Sequence, residues 1–160
     1  MDAAAIVGDA GVNTNVGKGA LFLLISGIGI TGTVTIAWEE LGYDDLGFTD
    51  FPTNDTDFII PDIDPPIQRV RLFAQQSWGT GGGAFVGTTR FEKNDSQLLM
   101  EPRVSVSGDG GSNTFLRQHM SSWSVPVVPG DFFHMDAFHS DTGNQRQLAE
   151  WTYFEIVVVR

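Results

Sequence analysis

Between Ile28 and Trp38 the chain alternates: Ile28, Ile30, Val34, Ile36 and Trp38 occupy even positions, while Gly29, Thr31, Thr33 and Thr35 occupy odd ones. A strand sends successive side chains to opposite faces, so a period of two describes a half-buried strand with a threonine-lined outer face. The pattern is decisive because the stretch from Gly19 to Trp38 carries no charge and is long enough to cross a bilayer. A membrane helix has no use for such alternation, so the stretch is assigned to a sheet. The preceding Ala20–Ile25 run, ended by Ser26-Gly27, reads as another strand or the first half of a bent one.

Similar runs recur along the 160 residues. Phe58-Ile59-Ile60 stops at Pro61, and the segment from Ile67 to Gln76 places Val70, Leu72 and Ala74 on one face. Ala84–Lys93 follows a glycine-rich loop, Asn94-Asp95 is a turn before Gln97–Met100, and Arg103–Ser107 runs into a second glycine-rich tip. Phe115–Val128, Phe132–His139 and Trp151–Val159 complete the set, and only Gln145–Trp151 is faintly helical. About eight to ten strands with Pro and Gly at their corners predict an all-β, antiparallel sandwich or barrel. Residues 1–18 lack periodicity and are expected to form a flexible arm, leaving 19–160 as the single domain.

Charge and composition narrow the function. Nine basic residues against 20 acidic ones give a formal net charge of −11. That argues against nucleic-acid partners and anionic membrane surfaces, both of which need clustered Lys and Arg. The absence of cysteine excludes disulfides, thiol nucleophiles and thiolate metal sites. Met1–Gly17 has no basic stretch and holds Asp2 and Asp9, so no cleavable signal peptide is expected.

Nine of the 20 acids lie between Glu39 and Asp64. Asp44, Asp45, Asp55 and Asp57 are the candidates for an oxygen-ligated Ca2+, although the alternating twelve-residue calcium loop is missing and a solvated acidic surface accounts for the density more simply. Of the three histidines, His119, His134 and His139, the last two differ by an odd number and fall on opposite faces of one strand. They read as ordinary half-exposed histidines. Asp136 shares a face with His134, which allows a base with its orienting partner, but no nucleophile elbow accompanies the pair. The chain is therefore read as non-enzymatic, with no cofactor beyond that Ca2+.

Four Trp and 12 Phe exceed what a small sandwich needs in its core, so some are expected to meet a neighbouring subunit. The order of segments resembles the C1q/TNF-like jelly roll, in the divergent form found in bacteriophage and related particle proteins. The matching pieces are Trp38–Phe51 (WEELGYDDLGFTDF), Asn54–Pro61 (NDTDFIIP), Ile67–Ala74 (IQRVRLFA), Phe91–Asn94 (FEKN), Val125–His134 (VPVVPGDFFH) and Trp151–Val158 (WTYFEIVV). In the family a Val-x-x-Gly-Asp turn leads into an aromatic-rich strand, and an aromatic, Ser/Thr and Phe cluster opens the last strand. Pro129-Gly130-Asp131 and Trp151, Tyr153 and Phe154 occupy those places here.

The resemblance implies a homotrimer with aromatics in its seam, for which Trp38, Phe132, Trp151, Tyr153 and Phe154 are the candidates. Tripling −11 gives −33, so that seam has to be apolar, with the acids at the rim or apex. The expectation is a virion structural protein, a capsid decoration or head fibre, made in the host cytoplasm and displayed on the particle surface. Residues 1–18 would dock to other virion proteins. Loops at Tyr43–Thr56, Ser77–Gly83 and Ser140–Leu148 are candidates for contact with host glycan. A tail-fibre or receptor-binding tip, a stand-alone carbohydrate-binding module and a glycan hydrolase using Asp136 are the alternatives.

Overall fold

The computed structural model describes residues 13–79, 85–97, 104–108, 115–139, 146–148 and 151–160. These form fourteen strands and no helix among the described residues: β1 Gly19–Leu23, β2 Ile28–Ile30, β3 Val34–Thr35, β4 Glu40–Asp44, β5 Phe58–Ile59, β6 Arg69–Gly79, β7 Phe85–Lys93, β8 Ser96–Gln97, β9 Val104–Gly108, β10 Phe115–Ser121, β11 Val125–Pro126, β12 Phe132–His139, β13 Arg146–Leu148 and β14 Tyr153–Val158. All pairings are antiparallel and build two sheets. The first runs β2-β13-β6-β14-β1-β4, with β10 and β11 along the other edge of β6. The second runs β3-β12-β7-β8, with β5 beside β12 and β9 beside β7.

The alternation read at Ile28–Trp38 holds residue by residue, since Ile30, Ile36 and Trp38 are buried and Gly29, Thr31, Thr33 and Thr35 are exposed. The strand itself is broken. Gly32 takes φ +76°, and β2 pairs with β13 in the first sheet whereas β3 pairs with β12 in the second. A left-handed residue re-aims the chain without changing which side chains face inward.

An aromatic stack joins the sheets. Phe22 lies flat against Phe58 at 4.3 Å, Phe58 meets Phe154 at 4.9 Å, and Phe154 meets Phe91 at 5.5 Å. Trp38 stacks on Phe22 at 5.9 Å. Such pairs each contribute on the order of 0.5–1.5 kcal/mol beyond the area they bury. Trp38 and Phe154 are therefore core residues, 3% and 0% exposed, and leave the set of seam candidates, because the sandwich itself consumes their surface.

Other expectations are revised. The segment read as faintly helical contributes β13, whose ladder to β2 and β6 overrides a local preference too short to stand alone. The acidic segment contributes β4. The Phe115–Val128 run divides at Ser122, whose Oγ accepts from the Leu72 amide while its own amide donates to the Leu72 carbonyl. Of the expected arm, residues 1–12 lie outside the described residues. The remainder is tied to the domain: the Gly17 amide donates to Val158 O, and Asn15 Nδ2 donates to Pro65 O.

Two local arrangements make predictions. Gly87 on β7 faces the buried indole of Trp78, whose Nε1 donates to Gln76 Oε1 at 2.7 Å, and a Cβ at Gly87 would come within 2.6 Å of Trp78 Cε2. Gly87→Ala is expected to lower unfolding stability by about 1–3 kcal/mol in urea titration, the usual cost of overpacking. At the Pro129-Gly130-Asp131 corner, Asp131 accepts from Lys93 Nζ at 2.7 Å, Asn94 Nδ2 at 2.8 Å and the Val128 amide at 3.0 Å. Burial alone would raise this carboxyl, but those donors outweigh it and hold it below the ordinary carboxylate value. A lowered folded-state value contributes stability at neutral pH that disappears as pH falls through it. Asp131→Asn should cost on the order of 1–3 kcal/mol at pH 7. Chemical unfolding repeated in strong acid should find the two proteins nearly equal.

Candidate functional site

The outer face of the second sheet carries the chemistry. Because β7 and β12 pair with Glu92 opposite His134 and Arg90 opposite Asp136, four polar side chains stand together on the face away from Phe91, Phe133 and Met135. Thr35 arrives from β3 and Asp57 from the turn before β5. Arg90 Nη2 bridges Glu92 Oε1 at 2.6 Å and Asp136 Oδ2 at 2.9 Å. Thr35 Oγ1 donates to Asp136 Oδ1 at 2.8 Å.

His134 lies at the centre with its side chain 6% exposed. Its Nδ1 stands 3.2 Å from Asp57 Oδ1. A carboxylate can only accept, so Nδ1 carries the proton toward Asp57 and Nε2 points away from it. Nε2 faces Glu92 Oε2 at 3.5 Å and Asp136 Oδ1 at 3.8 Å, both longer than an ordinary hydrogen bond. A cavity of about 270 Å³ opens beside the cluster, lined by Thr33, Thr88, Arg90, Asp136, Ala137 and Phe138.

The sequence pointed to half of this constellation. The shared face of His134 and Asp136 is as expected, and so is the opposite face of His139, whose ring meets Trp78 edge-on and whose Nε2 donates to Ile30 O. His134 and His139 are buried rather than half-exposed, since His139 turns into the sandwich and His134 is enclosed by Asp57, Glu92 and Asp136 on the outer face. Arg90 and Glu92 were missed. Their alternation about Phe91 was visible, but their partner strand was not.

The four aspartates proposed for Ca2+ do not converge. Asp44 Oδ1 accepts from the amides of Leu46, Gly47 and Phe48 and Oδ2 from Thr49, so it caps its own loop. Asp45 accepts from the Gly19 amide, Asp55 gives its carbonyl to the Trp38 amide, and Asp57 belongs to His134. Among the described residues, the grouping with metal-ligating atoms within 4.8 Å of one another is Glu92, His134 and Asp136.

The remaining seam candidates lie elsewhere. Trp151 is 61% exposed at a left-handed φ of +71°, Tyr153 is half-buried on the outer face of the first sheet, and Phe132 is half-buried beside His134. Of the loops considered for glycan, Ser77–Gly79 belongs to β6, Tyr43 and Asp44 to β4 and 146–148 to β13, while 80–83 and 140–145 lie outside the described residues.

No family model matches the chain, and no curated protein matches it. Solved structures do. The globular domain of the zebrafish complement 1qA protein superposes with a TM-score of 0.51 at 13% identity, covering 89% of this chain and 98% of that one. Murine APRIL at pH 8.5 gives 0.55 at 9% identity, with 89% and 98% covered, and its pH 5.0 structure gives 0.54 at 11%, with 89% and 100% covered. The fold is an antiparallel jelly-roll sandwich of the C1q/TNF-like kind. Arg90→Gln removes the cation shared by two largely buried carboxylates and should lower stability by about 1–3 kcal/mol. In a double-mutant cycle by denaturant unfolding, Arg90→Gln with Asp136→Asn should cost less than the two single losses together; strict additivity would mean that the ion pair carries nothing.

Proposed function

We propose that this chain is a non-enzymatic assembly module, a homotrimeric jelly roll displayed on the surface of a phage or phage-like particle as a capsid decoration or head fibre. The observation that carries the reading is the outer face of the first sheet. There Leu21, Leu23, Phe73, Tyr153 and Val157 are half-buried, Tyr43 is exposed, and Trp151 rises at the margin. An apolar face of this kind is a solubility hazard on a monomer and the usual core of an interface between copies. Polar groups ring it: Tyr43 Oη donates to Glu155, Tyr153 Oη lies 3.4 Å from His119 Nδ1, and the Arg117 guanidinium stands over Trp151 at 5.9 Å. Burial, then Glu155, pushes both tyrosine hydroxyls above their ordinary values.

The C1q/TNF-like fold and the segments Val125–His134 and Trp151–Val158 support the same reading, and the seam candidates become Trp151 and Tyr153, because Phe132 stands on the second sheet beside His134. Residues 1–18 supply the docking segment for other virion proteins. A host glycan is the natural partner for Trp123, which is 69% exposed. Light scattering should give the mass of three chains, and Tyr153→Arg with Trp151→Ser should reduce it to one while circular dichroism keeps its β signature. A wild-type protein that stays at one chain at high concentration would end the trimer reading, and absence of the protein from purified particles would end the virion reading.

A further inference from the structure

We propose that Glu92, His134 and Asp136 form a binding site for a divalent transition-metal ion of the Zn2+ class on the outer face of the second sheet. The site is independent of the apolar face assigned to self-association, which belongs to the other sheet.

The donor geometry comes first. His134 Nε2 lies 3.5 Å from Glu92 Oε2 and 3.8 Å from Asp136 Oδ1, and the three ligand atoms lie within 4.8 Å of one another. Tetrahedral ligands at ordinary Zn–N and Zn–O lengths stand about 3.4 Å apart, so an ion fits between these atoms with only small side-chain movement. The same separations are too long for good hydrogen bonds from an imidazolium.

The surroundings match what a metal-ligating set requires. The Nδ1–H of His134 is taken by Asp57, the arrangement in which a carboxylate orients a ligating imidazole and raises its basicity. Each ligating carboxylate divides its oxygens: Glu92 Oε1 and Asp136 Oδ2 go to Arg90, which leaves for the ion Glu92 Oε2 and the second lone pair of Asp136 Oδ1, whose first accepts from Thr35. Thr35 Oγ1 fixes Asp136 from the third side. The ligands are rigid because they stand on two paired strands and not on loops.

Charge points the same way. The three carboxylates of Asp57, Glu92 and Asp136 outnumber the Arg90 guanidinium and the one imidazole beside them, in a cluster whose three central side chains are less than a tenth exposed. Buried uncompensated charge is expensive, and one divalent ion cancels it. One imidazole with two carboxylates suits Zn2+, Co2+ or Ni2+ better than Ca2+, which takes six to eight oxygens. The cavity lined by Thr33, Arg90, Asp136 and Phe138 lies against the Asp136 side of the site.

Chelator-treated full-length protein titrated with Zn2+ by calorimetry should bind one ion per chain and melt at a higher temperature once loaded. Co2+ in its place should give the intense visible absorption of a low-symmetry, less than six-coordinate site. His134→Asn and, as the variant that best preserves shape, Glu92→Gln should abolish this binding. Asp57→Asn should weaken it by about 10- to 100-fold, and His119→Ala, an exposed histidine elsewhere, should leave it unchanged. Absence of stoichiometric binding, a Co2+ spectrum like that of the aquo ion, or undiminished binding in folded Glu92→Gln would overturn the proposal and leave a buried ion-pair network alone.

Discussion

The antiparallel ladder between β7 and β12 sets Phe133 against Lys93, His134 against Glu92, Met135 against Phe91 and Asp136 against Arg90. That register makes the core and the polar site at one stroke. Odd positions of both strands turn Phe91, Phe133 and Met135 into the sandwich, and even positions turn Arg90, Glu92, His134 and Asp136 outward. A slip of one residue would bury the ionic row and expose the rings. The penalty for unpaired charge in the interior and the loss of the aromatic stack therefore enforce the same pairing.

Holding so much charge in one place needs compensation from several directions. Arg90 supplies a cation to two carboxylates, Thr35 supplies a hydroxyl, and Asp57 and His134 satisfy one another. Each contact comes from a different segment of the chain, so the cluster also pins β3 and the Asp57 turn to the β7–β12 pair. Removing one member leaves its partner desolvated, which costs more than the contact itself is worth.

The two outer faces of the sandwich differ in kind. The first sheet presents Leu21, Leu23, Phe73, Tyr153 and Val157, an area suited to close contact with another copy of the chain. The second presents an ordered ionic row beside a small cavity. In the proposed assembly an apolar seam carries little of the net −11, while acids of the Glu39–Asp64 segment serve local caps such as Asp44 over the 46–49 amides.

Much of this was legible in the amino-acid order and some was not, along a clear physical line. Alternation at Ile28–Trp38, along β6 and along β12 follows from covalent geometry, since adjacent side chains of an extended backbone must point to opposite faces; hence the all-β reading, the shared face of His134 and Asp136, and the Gly130-Asp131 corner. The break at Gly32, the strand within the acidic segment and the strand at Arg146–Leu148 escaped because short strands are made by their partners and not by their own residues. Trp38 and Phe154 looked the same as Trp151 and Tyr153 in sequence, yet the first two are core and the latter two are surface, because only packing decides which rings the sandwich consumes. Arg90 and Asp136, 46 positions apart, meet for the same reason. Which face a residue takes is a local property of the chain, whereas which strand lies beside it is settled by the burial of rings from both sheets together.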